Sequence, residues 1–149
     1  YKQWPVLRSA KDREALVQAC VNGHIRFICS NHRPWHPDEK DLEFPAAAFG
    51  ASQMEGFSLG AWTLLKEYME PGSFVRLLHK GPLEAMQKQT SKIEVGEKAF
   101  FTLWNPEGKS RVNKPLSPWF GMDLQGKIEG VFFPDKGFIP SKNEVEDKS

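Results

Sequence analysis

Apolar residues along 10–21 fall at helical spacing, with Leu16, Ala19 and Cys20 forming one stripe among charged neighbours. Ser9 precedes them and Asp12 follows three residues on, the spacing in which each side chain bonds the other's backbone N–H. Asn22-Gly23 then supplies a left-handed stop. The pattern predicts a helix over 10–21. The period next changes to two. Ile25, Phe27 and Cys29 alternate with His24, Arg26, Ile28 and Ser30, which predicts a strand over 24–30. Residues 1–8 read as a short strand, with Trp4 and Val6 on one face and Pro5 placing it at a sheet edge.

Residues 31–45 have no period and many prolines and charges, so they predict a long loop. A small-residue stretch follows, with one helical turn at 46–49. Leu59, Trp62, Leu65 and Met69 line one face of a second helix over 59–69, with Ser58 as its N-cap and Pro71-Gly72 as its stop. Residues 73–78 read as a strand, and Gly81-Pro82 opens a short helix through Leu83, Met86 and Thr90. Residues 93–104 read as a strand, 105–108 as a turn and 127–133 as a final strand. The charged residues 141–149 read as a disordered tail.

Together these elements predict an α+β fold, a small curved mixed β-sheet of five or six strands packed with two or three helices. One domain spans 1–140. The first helix lies between two predicted strands, and a right-handed crossover would make those strands parallel neighbours.

A chain of 149 residues can bury a core without disulfides or metals. Its net charge of +1 hides a block structure. Residues 1–35 carry a net +4, 36–70 a net −5, 71–114 a net +4 and 115–149 a net −2. If the two basic blocks meet in space they form a basic face. No apolar run reaches the roughly 20 residues of a membrane span. The start at Tyr1 rather than Met is expected of a fragment or a processed product. Two cysteines make no disulfide framework, and an intracellular protein with reduced thiols is expected.

Polar groups are densest in Cys20–His36, which holds both cysteines and three of the four histidines. Cys20, His24, Cys29 and His32 are zinc-ligand types, but their spacing matches no standard finger, and buried thiols are the expectation. No cofactor is expected. Gly56-Phe57-Ser58-Leu59-Gly60 matches G-x-S-x-G, yet lacks the buried strand that a nucleophile elbow needs before it, and only His79 follows as a base. Ser58 is therefore expected to cap a helix. The acids between Asp38 and Glu43 lack calcium-loop spacing and read as a solvated loop. Trp35 and Trp119 stand in loops, and rings beside cations are what base recognition uses.

Several strand-end pieces are shared with a known family. Leu7-Arg8-Ser9 stands where that family has I-K-S before its first helix. Ile28-Cys29-Ser30 stands where it has W-C-S, and Phe101-Thr102-Leu103 where it has F-S-V. Gly126-Lys127-Ile128 with Phe132-Phe133 is similar to its G-K-F-x-x-x-W-I-F strand, and Ile139-Pro140 to its V-P. In these pieces the chain resembles the YTH domain, a PUA-like fold that reads methylated adenine in RNA. The first cage tryptophan of that family falls at Ile28, and residues 50–92 have no counterpart in it. The resemblance implies a PUA-like barrel and a nucleic-acid-binding module that is not an enzyme. Arg8, Ser9, Ser30 and Trp119 would hold a base, with Arg26, Arg33 and the basic residues of 76–114 on phosphates, and Trp35 and Lys127 also in the nucleic-acid site. A protein partner matched to the charge blocks is the alternative, and a small hydrolase using Ser58 the third reading.

Overall fold

The computed structural model describes residues 2–89 and 92–141. Helix α1, Ala10–Val21, lies where the pattern places it. Ser9 Oγ accepts from the Asp12 N–H, and the Asp12 carboxylate accepts from the Ser9 N–H at 3.1 Å. Ser9→Ala is expected to cost about 1 kcal/mol in an unfolding titration, since it leaves a helix-terminal N–H unpaired. The buried face is not the expected one. Val17 is buried and Cys20 packs partly against the same cluster, whereas Leu16 is 58% exposed.

Residues 2–9 form no strand. They lie over the loop that follows residue 30, held by Gly50 N–H donating to the Lys2 carbonyl at 2.9 Å. Residues 24–30 run extended as expected, but join no ladder among the described residues. Their anchors are Ile25 N–H to Ala19 O and Ile28 N–H to Leu77 O, at 3.0 and 3.1 Å. Alternation reports a half-buried extended chain; it does not report a hydrogen-bonded neighbour. With neither flank of α1 in the sheet, the parallel crossover falls away.

Helix α2, Pro37–Lys40, is a single turn inside the long loop. Helix α3, Phe57–Leu65, starts one residue before Ser58 and has Gly56, not Ser58, at its N-cap. Its buried residues include Leu59, Trp62 and Leu65, the face read from the spacing. The predicted strand 73–78 is helical instead. Helix α4, Pro71–Val75, continues through a π-helical turn at Arg76–Lys80 into α5, Gly81–Ala85. The apolar run there fits either period, and Phe74 and Leu77, three apart, are buried together as a helix requires. Thr90, given to the end of this helix by the sequence, lies outside the described residues, as does the tail from 142 on.

The sheet has three antiparallel strands among the described residues, in the order β1 (Phe101–Arg111), β2 (Asp123–Phe133), β3 (Gly137–Pro140). Among the described residues neither five or six strands nor a PUA-like barrel forms. Asn105-Pro106-Glu107-Gly108, read as a turn, sits inside β1. The pairing steps from Asn105↔Lys127 to Lys109↔Gln125, so Pro106–Gly108 bulge out of the ladder. Trp62 Nε1–H and the Gln125 amide both donate to the Pro106 carbonyl, at 3.0 and 3.3 Å, and occupy what the ladder leaves free.

One core cluster joins Val17, Trp62, Leu65, Phe74 and Leu77, with Trp104 of β1 packed against it. Trp62 and Trp104 meet edge to face, with centroids 5.2 Å apart. A second cluster, Leu59, Val112 and Leu124, takes Trp104 and Trp119 at its border. Thr63 Oγ1 accepts from Gln125 N–H and donates to Leu59 O, tying α3 to β2. No helix among the described residues is long and apolar enough to cross a membrane.

Candidate functional site

The long loop is held by polar side chains bonded to backbone. Lys40 Nζ donates to the carbonyls of Ala48 and Gly50 at 2.7 and 2.8 Å. Trp35 Nε1–H donates to Phe49 O at 2.7 Å. Arg33 N–H donates to Ala51 O, and Ala48 N–H to Glu39 O. The Lys2 ammonium bonds Pro45 O and lies 4.3 Å from the Phe49 ring centroid. Such loops, fixed on a packed frame, are where ligand contacts concentrate.

His32 is the most constrained histidine in it. Its Nδ1 accepts from the backbone N–H groups of Gln53 and Met54 at 3.0 and 3.2 Å. A nitrogen accepting two N–H groups carries no proton, so the neutral ring holds its proton on Nε2. The Asn31 backbone is left-handed, with φ 46°, and its side-chain NH2 donates to the Trp4 carbonyl. Ser30 Oγ accepts from His32 N–H at 3.3 Å. Gln53 reaches the other way, its Oε1 accepting from Trp119 Nε1–H at 3.0 Å.

Of the residues singled out in the sequence, Ser30, Arg33 and Trp35 come together in this loop. The others do not join them. Ser9 is used in capping α1. Arg8 and Arg26 are exposed, and Arg26 lines a cavity of about 760 Å³ whose other charges, Arg76, Lys66, Glu67, Glu70 and Glu84, are of both signs. Lys127 pairs with Glu129 at 3.1 Å on β2. Trp119 is no open stacking platform. Its half-buried indole lies against Gly56 and Gly60, and its N–H is taken by Gln53. The sequence reading missed Asn31 and the tautomer of His32. The bonds that fix them come from residues 21 or more positions away, at Gln53 and Trp4, and leave no local signal.

The G-x-S-x-G match has a packing explanation. Gly56 and Gly60 stand four apart on one face of α3 and form the groove that seats Trp119. Ser58 lies within the helix, half-buried, and neither caps it nor sits on a strained turn. Cys29 is exposed, against expectation, while Cys20 is half-buried and burial pushes its thiol pKa up. Among the described residues no group of three or more His, Cys, Asp or Glu is placed to hold a metal ion.

The fold is that of a segment of the hydantoinases. The chain superposes on a D-hydantoinase with TM-score 0.79 at 24% identity, covering 95% of this chain and 34% of that one. D-hydantoinase (dihydropyrimidinase) from Thermus sp. gives TM-score 0.73 at 20% identity and 35% of its length. In sequence, the chain is similar to a dihydroorotase-like protein of Pseudomonas aeruginosa, 32% identical over 136 residues, 86% of this chain and 32% of that protein. It is also 34% identical over 125 residues to dihydroorotase of Bacillus licheniformis, 76% of this chain and 27% of the enzyme. The chain thus spans about a third of the length of the curated relatives it matches. No protein-family model matches it.

These likenesses overturn the YTH and PUA-like resemblance, which rested on pieces of two or three residues that recur by chance at strand ends. They overturn with it the RNA- or DNA-binding function and the nucleic-acid partner. The relatives are named as dihydroorotases and hydantoinases, not as nucleic-acid binders, and the residues assigned to base and phosphates are dispersed over the structure. The serine-hydrolase alternative goes too, with Ser58 held inside α3.

Proposed function

We propose that the chain forms part of a dihydroorotase- or hydantoinase-like protein whose ligand is a small cyclic amide or ureide, and that the 30–54 loop is where this chain meets it. The observation that carries the reading is the 30–34% identity to dihydroorotases and dihydroorotase-like proteins over most of the chain. The loop supports it. It is tied down by side-chain-to-backbone bonds, rich in polar groups, and carried on a packed frame, which suits the orienting of a small polar ring. In enzymes of this kind, water adds to a ring carbonyl, the C–N bond breaks, the nitrogen takes a proton and a carboxylate is left. The same proposal takes residues 1–140 as one α+β unit, and an intracellular setting in which Cys20 and Cys29 stay reduced.

Incubating the purified protein with dihydroorotate, hydantoin and 5,6-dihydrouracil tests this. Proton NMR reports both saturable binding and ring opening. Either result with one of the three rings is expected. Neither binding nor opening with any of them would reject the reading.

A further inference from the structure

We infer that the cavity beside Gly81 binds a small dicarboxylate, with one carboxylate on Arg26 and the other on Arg76. The cavity has a volume of about 760 Å³. It lies between the end of α1, residues 25 and 26, the connection 66–70 and the helical stretch 71–85. None of its lining residues comes from the 30–54 loop, so the inference stands apart from the cyclic-amide reading. One glycine brings the two arginines together. Gly81 N–H donates to the Arg76 carbonyl and closes the π-helical turn. The same glycine has the Arg26 carbonyl against it, where a Cβ would overlap that oxygen. Ile28 N–H to Leu77 O, at 3.1 Å, fastens the two stretches side by side. Arg26 and Arg76 then line one cavity from separate elements. A π-helical turn departs from the regular ladder and recurs at functional sites.

The charges around the cavity are of both signs, but they are not all free. Lys66 pairs with Glu67 at 3.1 Å, and Glu84 with Lys80 at 3.7 Å. Arg26, Arg76 and Glu70 have no ion pair among the described residues. Two free guanidiniums against one free carboxylate leave the site in need of an anion. A guanidinium stays charged and presents a planar fork that meets a carboxylate through two hydrogen bonds. Two such forks on separate elements match two carboxylates on one molecule better than the single centre of a phosphate. Between them the wall is apolar. Leu77 belongs to the buried core cluster and Met69 packs against it, which suits the methylenes that join the carboxylates. Glu70 opposes binding by its sign. It makes no side-chain bond at the start of α4, so its removal loses no cap.

Succinate, butyrate and inorganic phosphate are titrated into the isotope-labelled protein at constant ionic strength. Amide shifts are read at Arg26 and Arg76, and thermal melts confirm that each variant is folded. Both arginines are exposed, so their substitution removes no core contact and affinity in the millimolar range is expected. Wild type is expected to bind succinate about tenfold more tightly than butyrate, the order for one hydrogen bond to a charged group. Phosphate is expected to bind more weakly than succinate. Arg26→Gln and Arg76→Gln should each bring succinate down to the affinity of butyrate, because either change leaves a single point of attachment. Glu70→Gln should tighten succinate by about twofold, the order for an exposed charge. No saturation by succinate below roughly 50 mM, weaker than two charged contacts supply, would overturn the inference. So would equal binding of succinate and butyrate, phosphate binding as tightly as succinate, or folded arginine variants that bind succinate like wild type.

Discussion

Gly81→Ala is expected to destabilise the protein by about 2 kcal/mol or more, although Gly81 sits in a helix and alanine is the better helix former. A Cβ at Gly81 would be driven into the Arg26 carbonyl oxygen and would stand 3.1 Å from Phe27 Cβ. The obstacle is backbone, which cannot swing aside as a side-chain end would. Overpacking of this kind costs about 1–3 kcal/mol and occasionally more. The helix-propensity gain of about 1 kcal/mol offsets only part of that. To make room, the helical stretch 71–85 and the extended stretch 24–30 must separate, which strains the Ile28 N–H to Leu77 O bond at 3.1 Å. Gly72→Ala is the matched control. It lies in the same helical stretch with nothing within 4 Å of its Cβ position, and is expected to stabilise by up to about 1 kcal/mol. Urea unfolding midpoints of the two variants should therefore move in opposite directions. Equal shifts would mean that residues 24–30 do not rest on Gly81.

That contact also shows what the sequence could and could not disclose. Helix α1 was legible because everything that defines it is local. Ser9, Asp12 and Asn22-Gly23 act on neighbours in the chain. The face of α3 was legible for the same reason. Residues 24–30 were legible as extended chain, but the alternation of Ile25, Phe27 and Cys29 is silent about what lies beside it. The helical backbone of 76–81 does, and it is reached through a glycine whose purpose is visible only when Arg26 is placed against it. Residues 73–78 failed because SFVRLL satisfies both periods, and the deciding fact, that Phe74 and Leu77 share a core with Trp62, is tertiary.

The site was less legible still. Histidine, asparagine and tryptophan in a loop signal that something polar happens there. Which nitrogen carries a proton, and which way an amide faces, depends on Trp4, Gln53 and Met54. The attempt to assign function by short strand-end matches failed at this level. Three-residue pieces report that a strand ends, a property shared by unrelated folds. Likeness over 125 or more residues reports the arrangement of the whole.

Trp119→Ala is expected to cost about 2–4 kcal/mol, somewhat below the usual range for truncating a fully buried tryptophan because the ring is half-buried. The more telling expectation is how this change alters the effect of a second one. In wild type, a Cβ at Gly60 would lie 2.6 Å from Cη2 and Cζ3 of the indole, so Gly60→Ala should destabilise by about 1–3 kcal/mol. Once Trp119 is alanine, the obstruction is gone. Gly60→Ala should then be neutral or stabilising by up to about 1 kcal/mol, because only the helix propensity remains. The Gly60 penalty is thus lost or reversed, and the double-mutant cycle should show a coupling of about 1–4 kcal/mol, of the order expected for groups in direct contact. A nucleophile elbow predicts no such coupling, since its glycines serve a turn rather than a ring. An exposed stacking tryptophan predicts none either, and its loss would leave stability almost unchanged. The loop should respond as well. Trp119 Nε1–H holds the Gln53 side chain, whose backbone N–H holds His32, so Trp119→Ala should raise amide exchange at Gln53 and Met54. Additive stabilities in the cycle, with exchange at those two amides unchanged, would show that Trp119 neither fills the α3 groove nor braces the loop.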